Sequence, residues 1–221
     1  MNAGTKHKFQ ALELLIYNEP MSKRLILFSQ PSSAVWEKLD NVLFPEFLKN
    51  RVFAYMPSEG EAVELNTQFA PTWDEYTKKH HAKLVTIDNS KRGNEAEIEV
   101  EKLKSANILV ITGGNTFKLL NHLKKSGLDK AIIEFWKKDG VVLAGFSAGA
   151  IVLSPSIETA RTGCGDVDEL GLTDLSGLGI VDFEIWPHYE SGQAQEAANY
   201  KSKSLCNLKL IENEEVVVID K

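Results

Sequence analysis

The feature that most constrains the fold is a regular alternation, beginning at Lys23, of short apolar runs with longer amphipathic stretches. The apolar runs are rich in β-branched residues and predict strands, whereas the amphipathic stretches predict helices. Strands that alternate with helices need right-handed crossovers, so the sequence predicts a three-layer α/β fold with a mostly parallel sheet. The predicted strands are residues 24–28, 52–55, 83–87, 107–112, 141–144, 181–186 and 216–219, and the predicted helices are 33–49, a stretch ending near 79, 95–105, 116–125 and 128–138.

The length of 221 residues suits one domain, which we assign to residues 21–221, with residues 1–20 as an N-terminal appendage. Residues 12–17 are apolar, but this run is short and contains Glu13, unlike a secretory signal. Because no apolar run approaches the roughly 20 residues of a membrane-spanning helix, we expect no membrane segment and a cytoplasmic location. The net charge is −6, and the acidic and basic residues are interspersed along the chain, without the basic stripe that a nucleic-acid-binding protein would show. The two cysteines lack the spacing of a disulfide framework or a metal site.

The strongest local signal is the Gly-Phe-Ser-Ala-Gly segment at residues 145–149, which follows a predicted buried strand and opens an apolar helical segment. A serine on a sharp turn from strand to helix projects its hydroxyl above the sheet, and small neighbours let the backbone close. The helix N-terminus behind it directs N–H groups toward a developing oxyanion. We therefore predict Ser147 as a nucleophile, the alternative being a tightly packed turn without chemistry.

A second turn, Gly-Gly-Asn-Thr at residues 113–116, follows the central predicted strand and precedes a helix. Ligands of open parallel sheets bind at the carboxyl ends of strands, so this turn is expected beside the serine. Gly114 would offer a backbone N–H to the substrate, and Asn115 is a further candidate for substrate binding. In the alternative interpretation, Asn115 or Thr116 only caps the helix. The turn lacks the third glycine of a dinucleotide fingerprint and the Gly-Lys-Ser/Thr end of a phosphate loop, so it gives only weak support for nucleotide binding.

Of the five histidines, His188 is the best candidate for activating the serine, because it lies in Trp-Pro-His-Tyr at the end of a predicted strand. The others lie in polar or lysine-rich stretches or in the appendage. A carboxylate could orient the imidazole, but spacing does not choose among the acids of this region. The candidates are Asp166, Asp168, Asp174, Glu190 and Glu212.

Taken together, Gly-Gly-Asn-Thr-Phe at 113–117, Gly-Phe-Ser-Ala-Gly-Ala at 145–150 and Pro-His-Tyr at 187–189 resemble the peptidase E and cyanophycinase family. Its members are serine peptidases on a flavodoxin-like sheet related to class I glutamine amidotransferases, and the resemblance covers roughly residues 23–221. Characterised members cut after an N-terminal aspartate in short peptides, or cut the aspartate-arginine polymer cyanophycin. The resemblance implies a short aspartyl peptide as substrate, no cofactor and no metal, and a homodimer is an expectation on family grounds.

The resemblance also implies roles for individual residues. Ser147 would be the nucleophile and His188 its general base, with an oxyanion hole from the N–H groups of Gly114 and Ala148. A C-terminal glutamate of the family is one candidate for orienting the histidine, and Leu-Ile-Glu at 210–212 resembles its setting, which points to Glu212.

The chain departs from the family pattern at two places. The segment after the serine has Thr162 where the family has an aspartate. The stretch 193–201 has no arginine, whereas peptidase E carries arginines there that suit an aspartyl carboxylate. A carboxylate clamp would then come from elsewhere, with Arg161 and Lys201 as candidates.

Three functions follow from these patterns. The first is a serine peptidase that hydrolyses short peptides, with an aspartyl dipeptidase as the leading subtype. The second is a weakly active or inactive family member that binds a small ligand or partner at the same turn. The third is an esterase or amidase that uses the same serine on a different substrate.

Overall fold

A computed structural model describes residues 22–48, 50–60, 64–163 and 165–221, with the backbone alone described for 64–70. The predicted appendage, residues 1–20, and Cys164 lie outside the described residues. The strands are β1 (Arg24–Phe28), β2 (Val52–Met56), β3 (Lys83–Thr86), β4 (Ile108–Ile111), β5 (Val142–Phe146), β6 (Phe183–Trp186), β7 (Asn207–Leu210) and β8 (Val216–Asp220). The helices are α1 (Ser33–Val42), α2 (Glu64–Lys79), α3 (Asn94–Ser105), α4 (Thr116–Ser126), α5 (Leu128–Lys137), α6 (Ala148–Ile151), α7 (Thr159–Thr162) and α8 (Ala194–Lys201), with a 3₁₀ turn at Ser191–Gln193.

The main sheet has six strands in the order β3-β2-β4-β5-β1-β8. Its first five strands are parallel, and β8 runs antiparallel to β1 at one edge. The predicted α/β fold with a mostly parallel sheet is thus confirmed. The order of the parallel strands is that of a flavodoxin-like sheet, 2-1-3-4-5, with the fifth position filled by the first strand of the chain. The direction of winding reverses between β2 and β4, and such a reversal opens a crevice at the carboxyl ends of the strands.

The four central strands of the main sheet, β1, β2, β4 and β5, are buried on both faces. Successive side chains point to opposite sides of a strand, and nearly all of these side chains are buried. In β1, Leu25 and Leu27 pack in one apolar cluster with helices α3 to α6, whereas Ile26 and Phe28 pack in the other with α1 and α2. This two-sided burial explains why the strands read as continuous apolar runs. Within the described residues, no helix is both long and apolar enough to cross a membrane.

A separate two-stranded sheet pairs β6 with β7 in parallel, from Phe183 opposite Asn207 to Trp186 opposite Leu210. Strand β7 was absent from the sequence prediction. Its sequence, Asn-Leu-Lys-Leu, has only two apolar residues, and its side chains are half-buried or exposed. It is a strand because β6 pairs with it, a long-range partner that local sequence does not reveal.

Helix α1 is shorter than predicted. It ends at Val42 instead of continuing to residue 49. Pro45 accounts for this difference, because proline disfavours helical backbone in the residue before it and cannot donate a backbone hydrogen bond.

Candidate active site

The predicted nucleophile lies at the turn between β5 and α6. Ser147 has φ 50° and ψ −121°, a backbone conformation that side-chain-bearing residues rarely adopt. A β-carbon on Gly145 would lie 2.4 Å from the carbonyl oxygen of Gly149, and one on Gly149 would lie 2.1 Å from the carbonyl oxygen of Ile111. The two glycines are therefore required by close backbone contacts. The N–H of Ser147 donates to the carbonyl oxygen of Phe28 at 3.1 Å, which ties the turn to β1.

His188 faces this serine from the other sheet. It follows β6, has φ 56° and is half-buried. Its Nε2 lies 2.9 Å from Oγ of Ser147, and its Nδ1 lies 2.8 Å from Oδ1 of Asn213. If Nδ1 carries the hydrogen and donates to Asn213, Nε2 is left with a lone pair directed at the Ser147 hydroxyl. This is the protonation state in which a histidine accepts a proton from serine.

The Gly-Gly-Asn turn follows β4 and lies next to the serine. A β-carbon on Gly113 would be 2.9 Å from the β-carbon of Ser147. Gly114 has φ 144°, and a β-carbon there would be 2.0 Å from Oγ of Ser58, so only glycine fits. Within the described part of the chain, the backbone N–H groups of Gly114 and Ala148 donate to no carbonyl or side chain. Both remain available to a developing oxyanion.

Asn115 serves as the N-cap of α4. Its side-chain oxygen accepts from the N–H of Lys118 at 3.0 Å, and its Nδ2 donates to the carbonyl oxygen of Val167 at 2.9 Å. The alternative considered for this residue, a helix cap, is therefore present in the structure. Substrate binding by Asn115 stays a prediction, and its side chain would have to leave these partners.

The structure differs from the sequence expectation in the group that orients His188. The expected residue was Glu212, but the hydrogen bond to Nδ1 comes from the next residue, Asn213, and Glu212 is exposed. The backbone turns here, because residues 213 and 214 form a turn in which the N–H of Glu215 donates to the carbonyl oxygen of Glu212 at 3.1 Å. Ile211 is fully buried and Glu212 is exposed, and the turn places the half-buried Asn213 against His188.

The other four candidate acids have partners of their own. Asp166 accepts from both the backbone N–H and the hydroxyl of Thr116, at 2.8 and 2.6 Å. Asp168 pairs with Arg161 at 3.0 Å, and Asp174 pairs with Lys124 at 2.7 Å. Glu190 belongs to a capping box with Gln193.

The two candidates for a carboxylate clamp, Arg161 and Lys201, also lie apart from the candidate catalytic pair. Besides pairing with Asp168, the guanidinium of Arg161 lies 5.4 Å from the centre of the Phe117 ring. Lys201 is exposed on α8. Neither residue reaches Ser147 or His188 through a hydrogen bond of the described chain.

Sequence reasoning missed the loop after β2, which lies against the oxyanion turn. The N–H of Ser58 donates to the Thr112 hydroxyl at 3.1 Å, and the buried amide of Asn89 donates to the carbonyl oxygens of Pro57 and Ser58 at 2.7 and 3.2 Å. These bonds fix the loop at the point where the winding of the sheet reverses. The only sequence signal for it was its place after a buried strand.

Charged groups surround this turn. Lys118 lies 3.6 Å from Glu59 and 3.3 Å from Glu169. Both carboxylates raise the pKa of Lys118, and the hydrogen bond from Lys118 to Glu169 has the largest effect. Two carboxylates therefore share one ammonium group beside Gly114. Among the described residues, no group of three or more His, Cys, Asp or Glu side chains is arranged to hold a metal ion.

Fold and site together define a class of protein. Its members have an open, mostly parallel α/β sheet that presents a serine on a strand-to-helix turn to a histidine, as hydrolases with a serine nucleophile do. The model of Peptidase family S51 matches residues 25–221. The chain therefore belongs to peptidase family S51, and the predicted resemblance to peptidase E is confirmed.

Individual relatives agree with this assignment. The chain is 39% identical over 95 residues to the uncharacterized peptidase Lmo0363 of Listeria monocytogenes serovar 1/2a, a match that covers 43% of this chain and 46% of the relative. It is 32% identical over 119 residues to peptidase E of Shigella flexneri and of Escherichia coli, covering 53% of this chain and 50% of each relative. The matched segments thus span about half the length of these relatives.

Two crystal structures share the fold. A protein from Listeria monocytogenes EGD-e that carries the peptidase E name superposes with a TM-score of 0.69 and 26% identity, over 90% of this chain and 98% of the other. A peptidase from an acI-B1 actinobacterium gives a TM-score of 0.64 at 22% identity, over 92% of this chain and 86% of the other. At that identity the second similarity concerns the fold alone.

Proposed function

We propose that the protein is a serine peptidase that hydrolyses short peptides, with an aspartyl dipeptidase as the leading subtype. The observation that carries the proposal is the 2.9 Å distance from Ser147 Oγ to Nε2 of His188, beside the backbone N–H groups of Ala148 and Gly114, which have no acceptor within the described chain. The peptidase E relatives support the aspartyl subtype.

In the proposed reaction, Oγ of Ser147 attacks the carbonyl carbon of the scissile peptide bond while its proton passes to Nε2 of His188. The electron pair of the carbonyl moves to its oxygen, which the N–H groups of Gly114 and Ala148 would bind. His188 then gives the proton to the leaving amine as the C–N bond breaks, and an ester to Ser147 remains. Water attacks this ester with His188 as base, which releases the acid and restores the serine.

Asn213 would act through His188. Its Oδ1 accepts the Nδ1 hydrogen and so fixes both the orientation of the ring and the tautomer in which Nε2 is the base. Papain-like proteases use an asparagine in the same way. Unlike a carboxylate, the amide does not add a negative charge that stabilises the imidazolium.

The carboxylates near Gly114 support a free α-ammonium group on the substrate. Oε1 of Glu59 lies 3.8 Å from where a β-carbon of Gly114 would be, and the side chain is 23% exposed. The α-nitrogen of a residue whose carbonyl oxygen binds Gly114 lies close to that carbonyl. Attraction to Glu59 would therefore favour cleavage after the first residue of a peptide.

The test is hydrolysis of a panel of Asp-X dipeptides, with Asn-X, Glu-X, Ala-X and N-acetyl-Asp-X as comparisons. Ser147→Ala should lower kcat/KM by at least about 1,000-fold. The control is Ser154→Ala, since Ser154 is a fully buried serine whose hydroxyl has no hydrogen-bond partner within the described chain. Activity that survives Ser147→Ala would refute the proposed nucleophile, and equal cleavage of the acetylated peptide would refute the role of the ammonium group.

The same panel separates the alternatives. A folded protein that cleaves no peptide but labels at Ser147 with a fluorophosphonate, and hydrolyses a p-nitrophenyl ester, would be an esterase. A protein that neither cleaves nor labels would be a binding member of the family. A cytoplasmic location, a homodimer and the absence of a cofactor remain part of the proposal, and sedimentation equilibrium tests the homodimer.

A further inference from the structure

We infer that Ser29 is a positioning residue that sets the distance between nucleophile and base, an inference that rests on the proposed function of Ser147 and His188. Ser29 directly follows β1 and is fully buried. Its hydroxyl accepts from the backbone N–H of His188 at 2.9 Å and donates to the carbonyl oxygen of Ile211 at 3.0 Å. Both hydrogen-bonding functions are thus engaged with the two segments that carry His188 and Asn213.

The need for such a residue follows from the topology. Ser147 directly follows β5 of the six-stranded sheet, whereas His188 and Asn213 follow β6 and β7 of the small sheet. Within the described chain, no β-ladder joins the two sheets. The 2.9 Å distance from Ser147 to His188 therefore depends on other contacts between them.

Ser29 lies where such a contact acts most directly. The preceding residue, Phe28, accepts the N–H of Ser147 through its carbonyl oxygen. The short segment Phe28–Ser29 thus holds the nucleophile by its main chain and the base by its side chain. Another hydrogen bond to the small sheet joins the Thr159 hydroxyl of α7 to the carbonyl oxygen of Ile185 at 2.7 Å. It lies within β6, three residues before His188, and so acts on the histidine less directly.

The backbone around His188 shows what Ser29 stabilises. The residue has φ 56°, a conformation that persists only when the surroundings fix it. Ile211 brackets the turn, because its N–H donates to the carbonyl oxygen of Trp186 and its carbonyl oxygen accepts from Tyr189, both at 3.0 Å. Ser29 bonds to that same carbonyl oxygen and to His188 itself. Removing the hydroxyl therefore takes one hydrogen bond from His188 and one from the segment leading to Asn213.

The test compares Ser29→Ala with the control Ser154→Ala, which removes an equally buried hydroxyl that has no partner in the described chain. Displacement of a reacting group by about 1 Å costs on the order of 100-fold in rate, so Ser29→Ala should lower kcat by roughly that factor. KM should stay within about twofold, because the substrate contacts are unchanged. Ser154→Ala should retain the wild-type kcat.

A double-mutant cycle separates positioning from general stability. In a His188→Ala background, Ser29→Ala should cause no further loss of the residual rate, because its effect acts through the histidine. An equal loss in both backgrounds, or a kcat of Ser29→Ala within twofold of wild type, would overturn the inference. If Ser29→Ala does not fold, Ser29→Cys replaces it, with an intermediate loss expected because a thiol is a weak donor and acceptor.

A readout independent of turnover distinguishes this inference from the proposed function. The imidazole NMR signals of His188 should move in Ser29→Ala and stay in place in Ser154→Ala, even if the wild-type protein cleaves no peptide. Unchanged His188 signals in a folded Ser29→Ala protein would refute the positioning role. Absence of wild-type cleavage and of fluorophosphonate labelling would instead refute the serine peptidase.

Discussion

Replacing Asn213 by aspartate would place a negative charge beside His188 with little change in side-chain shape. The oxygen of Asn213 lies 2.8 Å from Nδ1. A carboxylate there would attract the imidazolium by about 4 kcal/mol, for charges about 4 Å apart and an effective dielectric constant of about 20. Both side chains are half-buried, and water screens part of this attraction. We expect about 1.4 to 2.8 kcal/mol to remain, which corresponds to about one to two pH units.

The direction of the effect on the rate follows from the role of the base. His188 must be neutral to take the proton from Ser147, and the new carboxylate stabilises the protonated form. The acid limb of the pH dependence of kcat/KM should therefore move to higher pH by about one to two units in Asn213→Asp. At low pH the variant should be slower than wild type, with the difference shrinking as the pH rises past the new limb.

The assay is kcat/KM against pH for the best substrate of the dipeptide panel. Asn213→Ala should lower kcat about tenfold, because one hydrogen bond of about 1 to 1.5 kcal/mol is lost, and should introduce no charge. Glu212→Gln is the matched control at the neighbouring, exposed position and should change neither kcat nor the acid limb. An unmoved acid limb in Asn213→Asp would refute this reasoning, and a limb that moves in Glu212→Gln would return the orienting role to Glu212.

Two further predictions concern the oxyanion turn and the sheet edge. Gly114→Ala should lower kcat by about 100-fold, because its β-carbon would meet Oγ of Ser58 at 2.0 Å and displace an oxyanion donor. The control is Gly127→Ala, since Gly127 also has positive φ but has open space around it, and this variant should keep the wild-type kcat. Equal kcat values for the two variants would contradict the oxyanion role of Gly114. At the sheet edge, Arg24 lowers the pKa of Asp220 through a 2.6 Å hydrogen bond. The ion pair therefore stabilises the folded protein at pH values above the pKa of Asp220 in the unfolded chain. This stabilisation is lost as the pH falls through the lower pKa of Asp220 in the folded protein. Asp220→Asn should lower the free energy of unfolding at pH 7 by up to about 1 kcal/mol, a small effect because the carboxylate is largely exposed. The denaturation curves of variant and wild type should converge at strongly acid pH. A difference that persists there would show that the charge of Asp220 is not the cause.

The four central strands of the main sheet were predictable because burial on both faces leaves a direct trace in the sequence. Within the predicted strand 107–112, residues 108–111 are all apolar, and β4 occupies Ile108–Ile111. The order of the strands was not predictable from local pattern, since β1 pairs with β5 across more than half of the chain. Strand β7 was missed for the same reason, because its pairing with β6 and not its composition makes it a strand.

The candidate site divides in a similar way. Ser147 and His188 carry local signals, a glycine-flanked turn and a proline-stiffened strand end. Asn213 carries none, because it lies in a run of Glu, Asn and Glu that reads as solvent-exposed loop. Its role depends on the turn at residues 213–214 that follows the buried Ile211, and both features are visible only in the structure. Ser29 was likewise invisible, since its partners are 159 and 182 residues away.

Backbone strain favours hydrolysis over simple binding as the purpose of this site. Among the described residues, three non-glycine residues have positive φ: His81, Ser147 and His188. His81 lies just past the end of α2, where a left-handed residue commonly terminates a helix. Ser147 and His188 instead follow strands, and each conformation costs on the order of 1 to 3 kcal/mol, which glycine would largely avoid. What the fold gains there is a hydroxyl and an imidazole in hydrogen-bond contact, with the far ring nitrogen fixed by an amide. A pocket that only holds a ligand has no need of that pair, whereas transfer of a proton from a nucleophilic serine requires it.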